Sequence, residues 1–201
     1  LHHVRWHDGA CPLASVNCIG DDTVIRHHRR YVEPHRNWHW INCDAGILTY
    51  LKLHPSVWTN ATNIWLLEWD ARWSGRLGEI LDAFRSDSSD LLCPHLRVND
   101  HWFHAGKRNQ TAYARYAHCE QSVIRVSTRL LRVVLQQLNT SAMFCEMRMP
   151  SSCLYLQWCR MRDLTYNRRY IGHPFKWPLV TNRSVVDKYT RPLIFHRVKY
   201  E

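Results

Sequence analysis

Two carboxylates close the run Ile64-Trp65-Leu66-Leu67-Glu68-Trp69-Asp70, and their placement calls for a chemical explanation. On an extended backbone the side-chain period of two puts Glu68 and Asp70 on the same side of the strand. At the end of a buried strand two such carboxylates repel each other unless a cation or a basic side chain lies between them. A divalent cation such as Mg2+ or Mn2+, held by oxygen ligands and able to bridge phosphates, would satisfy the pair. A salt bridge to Arg72 or Arg76 would satisfy it equally well. In open α/β sheets, ligands collect at the carboxyl ends of strands, which is where this pair falls.

Two further stretches carry chemistry-bearing residues. Phe144-Cys145-Glu146-Met147-Arg148 sets a carboxylate among apolar neighbours, where burial can raise its pKa into the range useful for proton transfer. Pairing with Arg148 or Arg160, or capping a helix after Pro150, is the plainer role for Glu146. Gly172-His173-Pro174-Phe175-Lys176-Trp177-Pro178 offers a histidine beside a glycine and a lysine able to act as a point charge. With 14 histidines in the chain, residue type alone singles out none of them. There is no phosphate-binding glycine loop, no GxSxG elbow and no HExxH helix.

The elements that must position these residues are short. Asp44 is placed to cap a helix whose stripe Ile47, Leu48 and Leu51 stops at His54-Pro55. Ile64 to Leu67 is a continuous apolar run and reads as a buried strand of a parallel or mixed sheet. Residues 71–75 read as a loop. Leu77, Ile80, Leu81 and Phe84 recur at helical spacing, and Leu91 to Cys93 and Ser122 to Val126 read as strands. Leu130, Leu131, Val133, Val134 and Leu138 predict the clearest amphipathic helix. A further helix is expected over 152–161, and a short strand at Tyr170-Ile171. Strands alternating with helices predict an α/β fold, with a mixed, mostly parallel sheet flanked by helices in three layers. Residues 1–42 are expected to be irregular, and 43–201 to form a single domain.

Composition narrows the compartment. Eight cysteines occur without a CxxC pair or zinc-ribbon spacing, which favours disulfides over structural zinc and leaves their pairing open. Four N-glycosylation sequons begin at Asn60, Asn109, Asn139 and Asn182, against roughly one expected by chance. Together they point to an oxidising, luminal or extracellular setting. A formal charge of +10 suits anionic partners. The basic residues are dispersed, however, and Arg26-His27-His28-Arg29-Arg30 lacks interleaved stacking aromatics, so nucleic acid is not expected as a partner. No stretch is long and apolar enough to span a bilayer.

The segment Ile64-Trp65-Leu66-Leu67-Glu68-Trp69-Asp70-Ala71-Arg72-Trp73-Ser74-Gly75, followed by an amphipathic helix, resembles the DxD-type region of GT-A-fold glycosyltransferases. More narrowly it is similar to the WxxExDxxxxG signature of a eukaryotic group in that superfamily, and Asp90-Leu91-Leu92-Cys93 resembles that group's next strand. The likeness covers roughly residues 40–180, with Glu68 standing where many families carry the first Asp, and with the first nucleotide-binding strand expected to be incomplete. It implies a GT-A-like domain that moves a sugar from a nucleoside-diphosphate donor to a hydroxyl on a glycan or glycoprotein acceptor. By the same resemblance Mn2+ or Mg2+ would sit on Asp70 and Glu68 with His173 completing the shell, and Lys176 would meet the diphosphate. Glu146 would be the base that activates the acceptor hydroxyl. Trp69, Trp73 and Trp102 would stack on sugar faces. Such a protein is expected in the lumen of the secretory pathway, in the Golgi, with a membrane anchor preceding the sequence, or else outside the cell. The alternative is a non-catalytic, disulfide-bonded glycan-binding domain.

Overall fold

Three apolar runs bounded by turn residues, 64–67, 91–93 and 123–126, become strands and gather into one sheet. The computed structural model describes residues 4–7, 17–28, 43–68, 71–98, 115–137, 143–167, 169–171, 181–196 and 198–199. In chain order they form β1 (Val4–His7), β2 (Asn17–Gly20), α1 (Asp21–His28), α2 (Ala45–Leu53), β3 (Asn63–Leu67), β4 (Arg72–Ser74) and α3 (Leu77–Asp82). Then come β5 (Leu91–Cys93), β6 (Arg97–Val98), β7 (Ala117–His118), β8 (Val123–Ser127), α4 (Thr128–Gln137) and α5 (Cys145–Leu154). The chain continues with β9 (Met161–Asp163), β10 (Thr181–Asn182), α6 (Arg183–Val186), β11 (Leu193–Phe195) and β12 (Val198–Lys199). Asp70, Trp69, Trp102, His173 and Lys176 lie outside the described residues.

The central sheet has the order β3-β8-β5-β9. β8 runs antiparallel to β3, with Leu67 opposite Val123 and Asn63 opposite Ser127, and antiparallel to β5; β5 and β9 are parallel. The fold is therefore α/β with a mixed sheet, but the sheet is mostly antiparallel and not mostly parallel. An apolar run records burial and carries no direction, so the reversal of β8 is invisible in its composition. Alternate residues feed two cores. Ile64, Leu66, Leu91, Ile124 and Val126 meet α2, α4 and α5 on one face, while Trp65, Leu67, Leu92 and Val123 meet Ile80 and Phe84 on the other.

β3 departs from expectation in a second way. Its five residues are all half-buried, because it is the edge of the four-stranded sheet among the described residues. The doubly buried strand is β8, which encloses a charge: Arg125. The Arg125 guanidinium is stitched to the segment after α3 by bonds to the carbonyls of Phe84, Asp87 and Ser89 at 2.5, 2.8 and 2.9 Å and to Asp87 Oδ1 at 3.1 Å. A buried guanidinium with both terminal nitrogens so engaged, although its Nε has no hydrogen-bond partner among the described residues, holds loop to sheet at fixed geometry.

α5 starts earlier than the sequence pattern predicts, at Cys145 instead of 152, and carries Pro150 in its interior. The proline removes the N–H that would bond the carbonyl four residues back, that of Glu146. That freed carbonyl accepts the Cys119 N–H at 3.1 Å, so an apparent helix breaker becomes a tether to another segment. The 71–75 stretch, expected as a loop, contains β4, which pairs antiparallel with β11. Gly75 follows with φ +62, and a Cβ there would come 3.2 Å from Pro192 Cα, so the glycine of the signature is required by a left-handed turn and a close approach. Within 1–42, expected to be irregular, β1 and β2 pair in parallel and lead into α1.

Three disulfides join described cysteines: Cys43–Cys145, Cys93–Cys119 and Cys153–Cys159. They fit a protein that folds in the secretory pathway or outside the cell. No helix among the described residues is long and apolar enough to cross a membrane.

Candidate functional site

The β3–β8 pairing decides where Glu68 goes. The Glu68 N–H continues the ladder by donating to the Ser122 carbonyl at 2.9 Å, which brings the carboxyl end of β3 against the segment that enters β8. That segment, Cys119-Glu120-Gln121-Ser122, is held from three directions. Cys119 is bonded to Cys93, and the Glu120 N–H donates to the Pro94 carbonyl at 3.0 Å, fixing it to the end of β5. The Cys119 N–H reaches Glu146 O, and the Gln121 side-chain amide donates to the Cys145 carbonyl, fixing it to the start of α5. Cys145 is in turn bonded to Cys43, just before α2.

Three glutamates meet around this hub, and His196 joins them. His196 follows β11, and its side chain is 10% exposed. Its Nε2 lies 3.4 Å from Glu68 Oε2 and its Nδ1 lies 3.7 Å from Glu120 Oε2. Glu146 is close enough for the charges of Glu120 and Glu68 to act on it. Burial first, and then those two carboxylates, push its pKa up to about 8, against a smaller opposing pull from His196. At neutral pH Glu146 therefore holds its proton in most molecules and releases it within about one pH unit, the range in which a side chain transfers protons in both directions. Glu120 Oε2 and Ser122 Oγ are buried without a hydrogen-bond partner among the described residues. Unsatisfied buried polar atoms are rare and call for a ligand, a water or a functional reason.

The roles predicted from the sequence divide accordingly. Glu68 and Glu146 fall in one electrostatic cluster although 78 residues separate them (146 − 68). Glu68 has His196 as its ion-pair neighbour, Arg148 pairs with Asp44, and Glu146 lies in the first turn of α5. Trp73 is 37% exposed on β4, opposite Ile194 of β11, the strand that His196 follows. Asp70, His173, Lys176, Trp69 and Trp102 fall outside the described residues. Sequence reasoning missed Glu120 and His196. Glu120 had a signal: Cys119-Glu120 and Cys145-Glu146 are the same dipeptide, each at the mouth of a buried element. His196 had none that set it apart from 13 other histidines (14 − 1).

Carboxylates and imidazole are the right donor types for a divalent cation. Among the described residues, however, no group of three or more His, Cys, Asp or Glu is arranged to hold one. The described residues by themselves do not complete a cation's shell.

A second feature lies at the other end of β11. A cavity of about 250 Å³ is lined by Glu79, Arg169, Tyr170, Arg191 and Pro192. The Arg191 carbonyl is fixed by the Ser74 hydroxyl at 2.7 Å, and the Arg169 guanidinium stands over the Tyr170 ring at 5.6 Å. The lining thus includes two arginines and one glutamate, and Arg76 lies 3.7 Å from that Glu79 carboxylate.

No protein-family model matches the chain, and no curated protein and no solved structure matches it either.

Proposed function

We propose that the chain is a glycosyltransferase that moves a sugar from a nucleoside-diphosphate donor to a hydroxyl of a glycan or glycoprotein. The observation that carries this reading is the convergence of Glu68, Glu120 and Glu146 with His196 at the carboxyl end of β3. Transfer to a hydroxyl needs a group that takes the hydroxyl proton as the new glycosidic bond forms. Glu146 in its ionised form does this, and its raised pKa makes it a stronger base than an ordinary carboxylate. Glu120 and Glu68 enforce that basicity by crowding it with like charge, and His196 holds the two of them in place. Trp73 offers an exposed ring to a sugar face. The recess with Arg169 and Arg191 offers cationic donors to a diphosphate or to an anionic acceptor. The Mn2+ or Mg2+ dependence and the Golgi setting belong to this reading through the resemblance at 64–75.

Thermal-shift titration with UDP and GDP, with and without Mn2+, tests donor binding. Metal-dependent stabilisation that is lost in Asp70→Ala is the expected result. Transfer assayed from the donor that binds is expected to fall roughly 100- to 10,000-fold in Glu146→Gln, the usual range for losing a general base. The same assay is expected to rise with pH and level off above about pH 8, where Glu146 is ionised. Glycan binding with no response to any nucleoside diphosphate would leave the non-catalytic glycan-binding alternative.

A further inference from the structure

Asn60-Ala61-Thr62 takes no part in the acid cluster, and all three residues are exposed. They form the turn between the 3-10 segment Pro55–Val57 and β3. The turn is rigid for identifiable reasons. The Ala61 N–H donates to the Trp58 carbonyl at 3.0 Å, and the Trp58 indole N–H, in a residue 5% exposed, donates to the Leu51 carbonyl of α2 at 2.8 Å. The Thr62 carbonyl accepts the Thr128 N–H at 3.0 Å, tying the far side of the turn to the start of α4. No described residue hydrogen-bonds the Asn60 side chain, so its amide points no interaction inward and is free to be substituted without a loss to the fold.

We propose that Asn60 carries an N-linked glycan. The side-chain Nδ2 attacks C1 of a lipid-diphosphate-linked oligosaccharide, a C–N bond forms, the C1–O bond to the lipid diphosphate breaks, and one amide proton leaves to a base. The co-reactant is the lipid-linked oligosaccharide of the secretory pathway, and Thr62 supplies the hydroxyl two residues on that the acceptor sequence requires. Position makes the modification compatible with the site. Asn60 precedes β3 and Glu68 follows it, so the five residues of the strand, roughly 17 Å at extended spacing, separate glycan from acids. The sequon at Asn182 is exposed as well, but its asparagine belongs to the β10–β12 ladder and Ser184 lies inside α6, so the proposal is confined to Asn60. It rests on the secretory setting and not on the catalytic reading.

The test is expression of the full chain behind a signal peptide in a eukaryotic host, with both the secreted and the cell-retained material analysed. Release of N-glycans by peptide-N-glycosidase in heavy-oxygen water is expected to leave residue 60 as labelled aspartate in the peptide mass spectrum. Asn60→Gln and Thr62→Val are each expected to remove one glycan from the intact mass, while Thr62→Ser keeps it. Unmodified Asn60 in wild-type chain taken from either fraction would overturn the proposal, whatever the protein's activity.

Discussion

Cys43 and Cys145 share one disulfide, and a carboxylate follows each of them: Asp44 on one side and Glu146 on the other. The two acids meet opposite surroundings. Asp44 is fully enclosed against Arg148, itself 2% exposed, in a buried ion pair, and Arg148 also donates to the Met143 carbonyl. Glu146 faces Glu120 and Glu68, with His196 as the opposing charge. The contrast is sharpened by sequence, since Arg148 stands two residues from Glu146 on the same helix, and the fold gives it to Asp44. Burial pushes the Asp44 pKa up as well, and the charge and hydrogen bond of Arg148 oppose that shift without reversing it. At Asp87, whose side chain is 4% exposed, burial also acts to raise the pKa, but hydrogen bonds from Ser89 and Tyr166 and the charge of Arg125 outweigh it and the pKa falls. Charge that serves the fold is thus matched by an opposite charge of fixed geometry. An excess of like charge destabilises the native state, and where it persists it marks a site with work to do.

The largest expected effect lies on the matched side. Arg148→Met leaves Asp44 buried without its counter-charge and is expected to lower unfolding stability by about 3–5 kcal/mol in urea denaturation. Asp44→Asn combined with Arg148→Met should recover much of that loss. If the single variant cost less than 1 kcal/mol, Asp44–Arg148 would not be a structural pair and the comparison would fail. Next comes the bridge that both acids share. Cys43→Ser with Cys145→Ser opens a loop closed over 102 residues, and a loss of about 2–5 kcal/mol is expected. The variant also separates the halves of the comparison: stability should fall in both readings, but only a site role for Glu146 predicts that transfer falls further than folding does at temperatures where the variant is still native.

What the sequence disclosed and what it withheld follow the same physical divide. Local patterns were legible: α2, α4, β3, β5 and β8 sit within a residue or two of the apolar stripes and runs that announced them. Non-local facts were not. The apolar run Val123–Val126 carries no sign of its direction or of its partner on either side, so the mostly antiparallel sheet could not be read from it. Asp44 was legible as the residue before a helix, yet its side chain makes no cap bond and turns to Arg148 instead, 104 residues away. Pro150 misled for a definite reason: a proline inside a helix is normally excluded, but here the carbonyl it orphans is taken by Cys119, a partner that only the fold provides. Glu68 and Glu146 could be chosen as chemical groups, one by its place at a strand end and one by its apolar neighbours. That they share a site with Glu120 and His196 depends on two disulfides and a strand pairing whose connectivity no spacing encodes.

The unmatched side makes a prediction whose sign is fixed by the direction of the Glu146 shift. The folded carboxyl releases its proton at about 8, the unfolded one near 4.5. Between those values the native state binds a proton that the unfolded state has lost, so native stability falls as pH rises, by about 1.4 kcal/mol per pH unit at most, and the decline ends above pH 8. Glu146→Gln cannot titrate and removes that slope. The difference in unfolding free energy between the variant and the wild type is therefore expected to move in the variant's favour from pH 5 to pH 8. A flat difference would mean that the Glu146 carboxyl is not raised in the folded state, and the like-charged cluster would lose its basic group.

The smallest effects separate the neighbours' contributions, and they should carry opposite signs. Burial is the leading cause of the Glu146 shift, with Glu120 and then Glu68 adding to it and His196 opposing. Glu120→Gln removes one repelling charge and leaves burial intact, so it should lower the Glu146 pKa while keeping it above the ordinary carboxylate range. His196→Gln removes the opposing charge and should raise it. Carbon NMR titration of the Glu146 side-chain carboxyl, with Glu146→Gln used to assign the resonance, reads both shifts directly. Movement in the same direction in the two variants would mean that each acts by loosening the packing around Glu146, because loss of a charge cannot give one sign for an acid and its opponent alike. Opposite movement, with the larger part of the shift surviving in both, would show that the fold creates the basic carboxylate by burial and that the neighbouring charges adjust it.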